Sequence, residues 1–75
     1  MVAKYMTIEQ VVTAARNDVV KHIKKGTMRK EGEECTDDDE NIYSITSCYT
    51  DWAEDEQEAS NAIYTMFEEE FPEYL

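Results

Sequence analysis

The basic residues of this chain are confined to its first thirty positions. All seven lysines and arginines lie at or before Lys30, and the forty-five residues that follow contain sixteen acids and no basic side chain. The first thirty residues have a formal charge of +5 and residues 31–75 a charge of −16, which gives a net charge of −11. A block of charge of one sign is normally a solvated or partner-facing surface rather than a requirement of the fold. The pattern therefore predicts a strongly negative surface, without naming its partner.

The length of 75 residues limits the chain to a single small acidic domain, residues 1–75. A domain of this size buries only about 60% of the surface of its unfolded chain. Repulsion between like charges lowers its stability further, so we expect a contribution from salt, a second copy or a partner. The 41% hydrophobic content includes eight aromatic residues, which is too many for a disordered acidic tail. A small folded core is expected.

The first segment has the strongest helical pattern. Thr7 and Gln10 have the spacing of a capping box, and Gly26 is a natural helix stop. Residues 7–25 are predicted to form an amphipathic helix. Its apolar arc consists of Ile8, Val11, Val12, Ala15, Val19, His22 and Ile23.

The next segment, residues 26–41, is predicted to be an acidic connecting loop because it combines two glycines, dense charge and few apolar residues. Thr36 followed by three aspartates looks like the start of a second helix. Residues 42–49 are ambiguous. Their β-branched and aromatic residues would suit a strand, but the spacing of Ile42, Ile45 and Tyr49 favours a helix, and no second strand is evident.

A further helix is predicted over residues 51–71, ending before Pro72, with a break near Thr50 and Asp51 left open. The predicted fold is all-α, a small domain of two or three helices with a helical region over 42–71. The alternative is an α+β fold with a short strand at 42–49. The predicted core consists of Ile8, Val12, Ala15, Val19 and Ile23 packed against Ile45, Trp52, Ile63, Met66 and Phe67.

Residues suited to catalysis or metal binding are few. His22 lies within the apolar arc, where a packed, hydrogen-bonded histidine is expected, and Cys35 and Cys48 are expected to be reduced. Zinc sites generally need four ligands at paired spacings, and a calcium loop starting at Asp37 lacks its glycine and its glutamate. No phosphate-binding loop and no set of nucleophile, base and orienting residue is evident. We therefore predict no enzyme activity, no metal site and no cofactor.

The acids of a helix over 51–71 are predicted to be the functional element. Neighbouring acids on one face lie about 5.4 Å apart, and DNA phosphates rise about 3.4 Å apart along each strand. A row of carboxylates can therefore imitate a phosphate track, although a merely solvated helix face remains the alternative. The predicted partner-binding residues are Asp37, Asp38, Asp39, Glu40, Asp51, Glu54, Asp55, Glu58, Glu68 and Glu69.

In size, charge and helical pattern the chain resembles the small acidic anti-defence inhibitors of phages and mobile elements, the DNA mimics that block restriction, CRISPR or DNA-repair enzymes. The alternation of aromatic and acidic residues at 49–52 and 67–71 is part of this resemblance. It implies an inhibitor of anti-CRISPR or anti-restriction type that binds the basic nucleic-acid-binding surface of a defence or DNA-processing protein. The alternative function is an acidic immunity or antitoxin-like module that neutralises a basic protein.

Further expectations concern location and partners. No stretch approaches the ~20 apolar residues of a membrane span, and the N-terminal residues lack a signal-peptide pattern, so we expect a cytoplasmic protein, in the host bacterium if phage-encoded. Direct nucleic-acid binding is not expected at this net charge. A homodimer is expected, since the basic and acidic segments are complementary.

Overall fold

Three α-helices and a short 3-10 helix make up the computed structural model, which describes residues 5–75. Helix α1 spans Ile8–Lys25, α2 spans Ile42–Thr50 and α3 spans Glu56–Glu70, followed by the 3-10 helix Pro72–Tyr74. Within the described residues, the only β-type pairings are two isolated bridges, Met6 with Ala53 and Met28 with Glu40. The prediction of an all-α domain is confirmed, and the alternative strand at 42–49 is wrong.

Both ends of α1 lie where the sequence predicts them. The Thr7 hydroxyl accepts a hydrogen bond from the Gln10 backbone N–H at 3.1 Å, and the Gln10 side-chain oxygen accepts one from Thr7 N–H at 3.0 Å. At the other end, Gly26 has φ 75° and its N–H reaches the carbonyls of His22 and Ile23. A left-handed residue at this position favours glycine because no Cβ clashes with the backbone.

Helix α2 begins at Ile42, not at Thr36. The Asp39 carboxylate accepts hydrogen bonds from both the backbone N–H and the hydroxyl of Thr36, at 3.0 Å each, which holds residues 36–39 in a turn. Asn41 is the residue that caps α2: its side chain accepts from the Ser44 N–H, and the Ser44 hydroxyl accepts from the Asn41 N–H, at 2.9 Å each. The predicted helix start at Thr36 is therefore wrong.

The predicted continuous helix over 51–71 is also wrong at its beginning. Residues 51–55 form a connection between α2 and α3, and Asp55 caps α3 by accepting a hydrogen bond from the Glu58 N–H at 3.1 Å. A capping aspartate replaces the carbonyl that a preceding turn of helix would have supplied. The C-terminal boundary is as predicted, because α3 ends at Glu70, two residues before Pro72.

The core lies between the three helices and agrees with most of the prediction. Ala15, Val19, Ile45, Ile63, Met66 and Phe67 are buried as predicted, and Ile8, Val12 and Ile23 are half-buried at its margin. Trp52 does not belong to it, since its side chain is 52% exposed. Ala53 occupies the inward position instead and is 2% exposed. The core also contains Val11, Met28, Ile42 and Ala59.

The directions of the helices place the starts of α1 and α3 at one end of the molecule. Residues 6–8 border the same groove as residues 54–58, and farther along both helices Arg16 pairs with Glu70. Helix α2 runs opposite to α3, since Tyr43 at its beginning packs edge-on against Tyr64 in the second half of α3. We call residues 5–9 and 51–58 the turn end.

His22 is packed and hydrogen-bonded, as predicted. Its Nδ1 lies 2.7 Å from the Thr27 hydroxyl and its Nε2 lies 3.4 Å from an Asp18 carboxylate oxygen. The other carboxylate oxygen of Asp18 accepts a hydrogen bond from the Tyr49 hydroxyl at 3.1 Å. Burial, together with this bond, raises the pKa of Tyr49 to about 12. The polar contacts thus connect α1 to α2 and to the loop that follows α1.

The exposure of Trp52 leads to a stability prediction. Trp52→Ala should lower the unfolding free energy by about 1 kcal/mol or less, as for most exposed side chains. Phe67→Ala should cost about 3–5 kcal/mol, because Phe67 is fully buried and its removal leaves a cavity. Chemical denaturation of both variants measures the difference. A loss of several kcal/mol in Trp52→Ala would mean that the indole contributes to the core.

Candidate functional site

Few of the acids are neutralised within the molecule. Of the sixteen acids in residues 31–75, only Asp39 and Glu70 lie within 4.0 Å of a lysine or arginine nitrogen in the described part of the chain. Arg29 pairs with Asp39 at 3.1 Å and Arg16 with Glu70 at 2.6 Å. The remaining acids therefore contribute an uncompensated negative potential to the surface.

Four of the predicted partner-binding acids are brought together at the turn end. Asp51 follows α2, Glu54 lies in the connection, Asp55 caps α3 and Glu58 lies in its first turn, and all four are exposed. They do not form a row along one continuous helix, which corrects the predicted geometry. The rigid elements that hold them are the Asp55 cap and the bridge between Met6 and Ala53.

Two further acids at the turn end were not among the predicted site residues. Glu56 lies in the first turn of α3 and Glu9 in the first turn of α1, and both are exposed. The capping pattern of Asp55 would have indicated Glu56, because acids are favoured in the first turn after a cap. Glu9 could not be found from sequence spacing, because only the packing of α1 beside α3 places it in a groove with Ala62 and Glu69.

The predicted acids Glu68 and Glu69 lie at the opposite end of α3. Twelve residues of helix separate Glu56 from Glu68, a distance of about 18 Å. Both acids are exposed, and their neighbour Glu70 is paired with Arg16. The structure therefore divides the acids of α3 into two groups rather than one track.

The loop acids differ in their availability. Asp37 and Asp38 are exposed, and Glu40 is half-buried and accepts a hydrogen bond from the Ser44 hydroxyl. The Asp39 side chain is only 6% exposed, and its Oδ2 is already bonded to Thr36 and Arg29. Asp39 therefore stabilises the loop. It does not contribute a free carboxylate to the acidic surface, although it was predicted to be a partner-binding residue.

The hydrogen bonds of Asp39 also affect its acidity. The Thr36 backbone N–H, followed by the Arg29 side chain, holds the pKa of this carboxyl below its ordinary value of 3.8. A lowered pKa in the folded state stabilises the protein above the pKa of the unfolded chain, and this contribution is lost as the pH falls through the folded-state value.

Asp39→Asn should therefore lower the unfolding free energy at neutral pH, and its difference from the native protein should shrink below about pH 4. Denaturant unfolding from pH 7 to pH 3 measures this difference. Asp38→Asn is the control, since Asp38 is exposed, and it should leave the unfolding free energy at neutral pH nearly unchanged. A constant difference for Asp39→Asn across this range would contradict the assignment.

Two aromatic side chains are exposed beside the turn-end acids. Trp52 is 52% exposed and Tyr5 is 59% exposed. Their backbones are held together because Met6 N–H donates a hydrogen bond to the Trp52 carbonyl at 2.8 Å. Aromatic residues surrounded by polar groups are typical of the contact residues that dominate binding energies at protein interfaces.

No basic residue belongs to the turn end as the structure describes it. Along α1 the first basic side chain is Arg16, about 12 Å beyond Ile8. The basic residues of α1 and the following loop lie toward the other end of the molecule. Within residues 5–9 and 51–58, the charged side chains are therefore all negative.

Residues 5–75 contain no group of three histidine, cysteine or acidic side chains close enough together to hold a metal ion. Cys35 and Cys48 are both exposed, and no disulfide joins them. None of the described helices combines the length and the apolar content that crossing a bilayer requires.

Comparison with known proteins gives no relative: no protein-family model, no curated protein and no solved structure matches this chain.

Proposed function

We propose that this protein is an acidic inhibitor of anti-CRISPR or anti-restriction type. It binds the basic nucleic-acid-binding surface of a defence or DNA-processing protein and occupies the place of the nucleic acid. The observation that carries the proposal is the turn end, where five exposed acids lie within eight residues of chain without a described basic neighbour. These are Asp51, Glu54, Asp55, Glu56 and Glu58.

The spacing of the acids suits a groove that accommodates phosphates. Acids at the turn end lie within a few residues of one another, and the second group on α3 lies about 18 Å away, the rise of about five base pairs. A partner that binds two stretches of phosphate backbone would contact both groups of acids. Because the acids of α3 are fixed on a helix, little conformational entropy is lost from their backbone on binding.

The acids lower the stability of the free protein, which favours a functional reason for keeping them. Glu56 and Glu58 have serine and alanine at the i+4 positions, where a lysine or arginine would add about 0.2–0.5 kcal/mol per pair. Repulsion among the uncompensated acids adds to this loss. A surface needed only for solubility would tolerate basic residues among the acids, and residues 31–75 contain none.

Charge reversal at the turn end tests the proposal. Asp51→Lys with Glu54→Lys changes two exposed side chains that make no hydrogen bond, and a lysine after α2 suits the helix dipole. The matched control is Glu34→Lys with Glu73→Lys, two exposed acids away from the turn end. Each double variant has a formal net charge of −7 by the same count that gives −11 for the native chain.

The native protein should capture a basic, nucleic-acid-binding protein from bacterial lysate. The turn-end variant should bind this partner about 10-fold more weakly or worse, and the control variant should bind nearly as well as the native protein. Circular dichroism checks that both variants fold. Equal binding by the two variants would show that net charge alone determines the affinity. It would contradict the assignment of the turn end as the binding surface. A partner without affinity for nucleic acid would instead favour an immunity-like module.

A further inference from the structure

Trp52 and Tyr5 adjoin one backbone contact. Met6, the residue after Tyr5, forms an isolated parallel bridge with Ala53, the residue after Trp52. In this contact Met6 N–H donates a hydrogen bond to the Trp52 carbonyl at 2.8 Å. Ala53 is buried and Met6 is half-buried, whereas Tyr5 and Trp52 are 59% and 52% exposed.

The position of Trp52 is fixed rather than incidental. The hydrogen bond from Met6 N–H to the Trp52 carbonyl holds the backbone of residue 52, and Ala53 occupies the neighbouring inward position. Because this backbone is already ordered, a partner that covers the ring restricts only the side-chain rotamers of the indole.

The surroundings of the two rings determine what they can bind. Asp51, Glu54 and Asp55 lie within three residues of Trp52, and all three are exposed. A tryptophan face attracts a cation, and arginine is the commoner choice because its planar guanidinium also stacks on aromatic rings. The same group donates paired hydrogen bonds to carboxylates. An aromatic surface with an acidic rim is thus complementary to arginine and repels anionic ligands.

We propose that Tyr5 and Trp52, with Asp51, Glu54 and Asp55, form a docking site for an arginine side chain on the basic surface of a protein partner. This site rests on the proposed inhibitor function and specifies its central contact. The aromatic rings bind the guanidinium face and the carboxylates bind its N–H groups. Simple phosphate mimicry requires only the carboxylates, so the rings add a preference for arginine over lysine.

A second copy of the chain fits this site less well. The chain has two arginines, Arg16 and Arg29, and each is already paired with a carboxylate of its own molecule. The exposed cations left on α1 are Lys21, Lys24 and Lys25, which lack the planar guanidinium. Use of either arginine by a second copy would break an ion pair of its own molecule, so a different protein is the better source of the guanidinium.

The single tryptophan of the chain reports directly on this site. The full-length protein is titrated at low ionic strength with a nona-arginine peptide and with a nona-lysine peptide. Trp52 emission should change on binding of nona-arginine, which should bind about 5-fold more tightly than nona-lysine. Calorimetry with nona-arginine should give about 5-fold weaker binding for Trp52→Ala, and Trp52→Phe should recover part of the loss.

Tyr43→Ala is the matched control, because Tyr43 is 53% exposed and lies at the far end of α2. It should leave the affinity for nona-arginine unchanged. Binding of nona-arginine without a change in Trp52 emission, or with equal affinity in Trp52→Ala, would overturn the arginine site and leave the acidic inhibitor standing. A concentration-dependent change in Trp52 emission without peptide would assign the rings to a second copy and also overturn it. The inhibitor proposal itself fails separately, if partner capture survives Asp51→Lys with Glu54→Lys.

Discussion

The hydrogen bond between Met6 N–H and the Trp52 carbonyl determines how the turn end is built. It fastens the residues before α1 to the connection between α2 and α3, so the beginnings of α1 and α3 lie side by side. It also fixes the register in which Ala53 points into the core and Trp52 points outward. The acids of the connection and the two exposed aromatic rings occupy one surface as a consequence of this pairing.

The charge pattern and the core are largely independent of each other. The helices are held together by apolar residues such as Val19, Ile63 and Phe67, and only two lysine or arginine ion pairs form in the described part of the chain. One of them, between Arg29 and Asp39, closes the loop before α2. Because the fold does not depend on neutralising its acids, the remaining carboxylates can stay exposed at a modest loss of stability.

Where local chemistry alone determines structure, the sequence is sufficient. The capping box at Thr7 and the glycine at position 26 predict the ends of α1, and the spacing of Ile42, Ile45 and Tyr49 predicts that α2 is a helix rather than a strand. The C-terminal end of α3 follows from Pro72. Each of these features is decided by residues only a few positions apart in the chain, so it can be predicted from the sequence alone.

The predictions are wrong where the structure is decided by contacts between distant residues or by competition between two local contacts. Trp52 fits a helical apolar spacing, but its carbonyl is bonded to the N–H of Met6, forty-six positions earlier in the chain. Thr36 and Asn41 are both good helix caps, and the choice falls on Asn41 because Asp39 binds Thr36 and Arg29. The composition of the acidic surface could therefore be predicted, whereas its division into two groups, its aromatic centre and the loss of Asp39 from it could not.

The central claim is that this acidic surface occupies the place of nucleic acid on its partner. The most direct test follows the fluorescence anisotropy of labelled duplex DNA bound to the captured partner while the native protein is added. We predict complete displacement of the DNA, with an inhibition constant equal to the affinity of the protein for the partner and weakening as salt is raised. A stable ternary complex, in which the DNA stays bound while this protein is also bound, would contradict the claim.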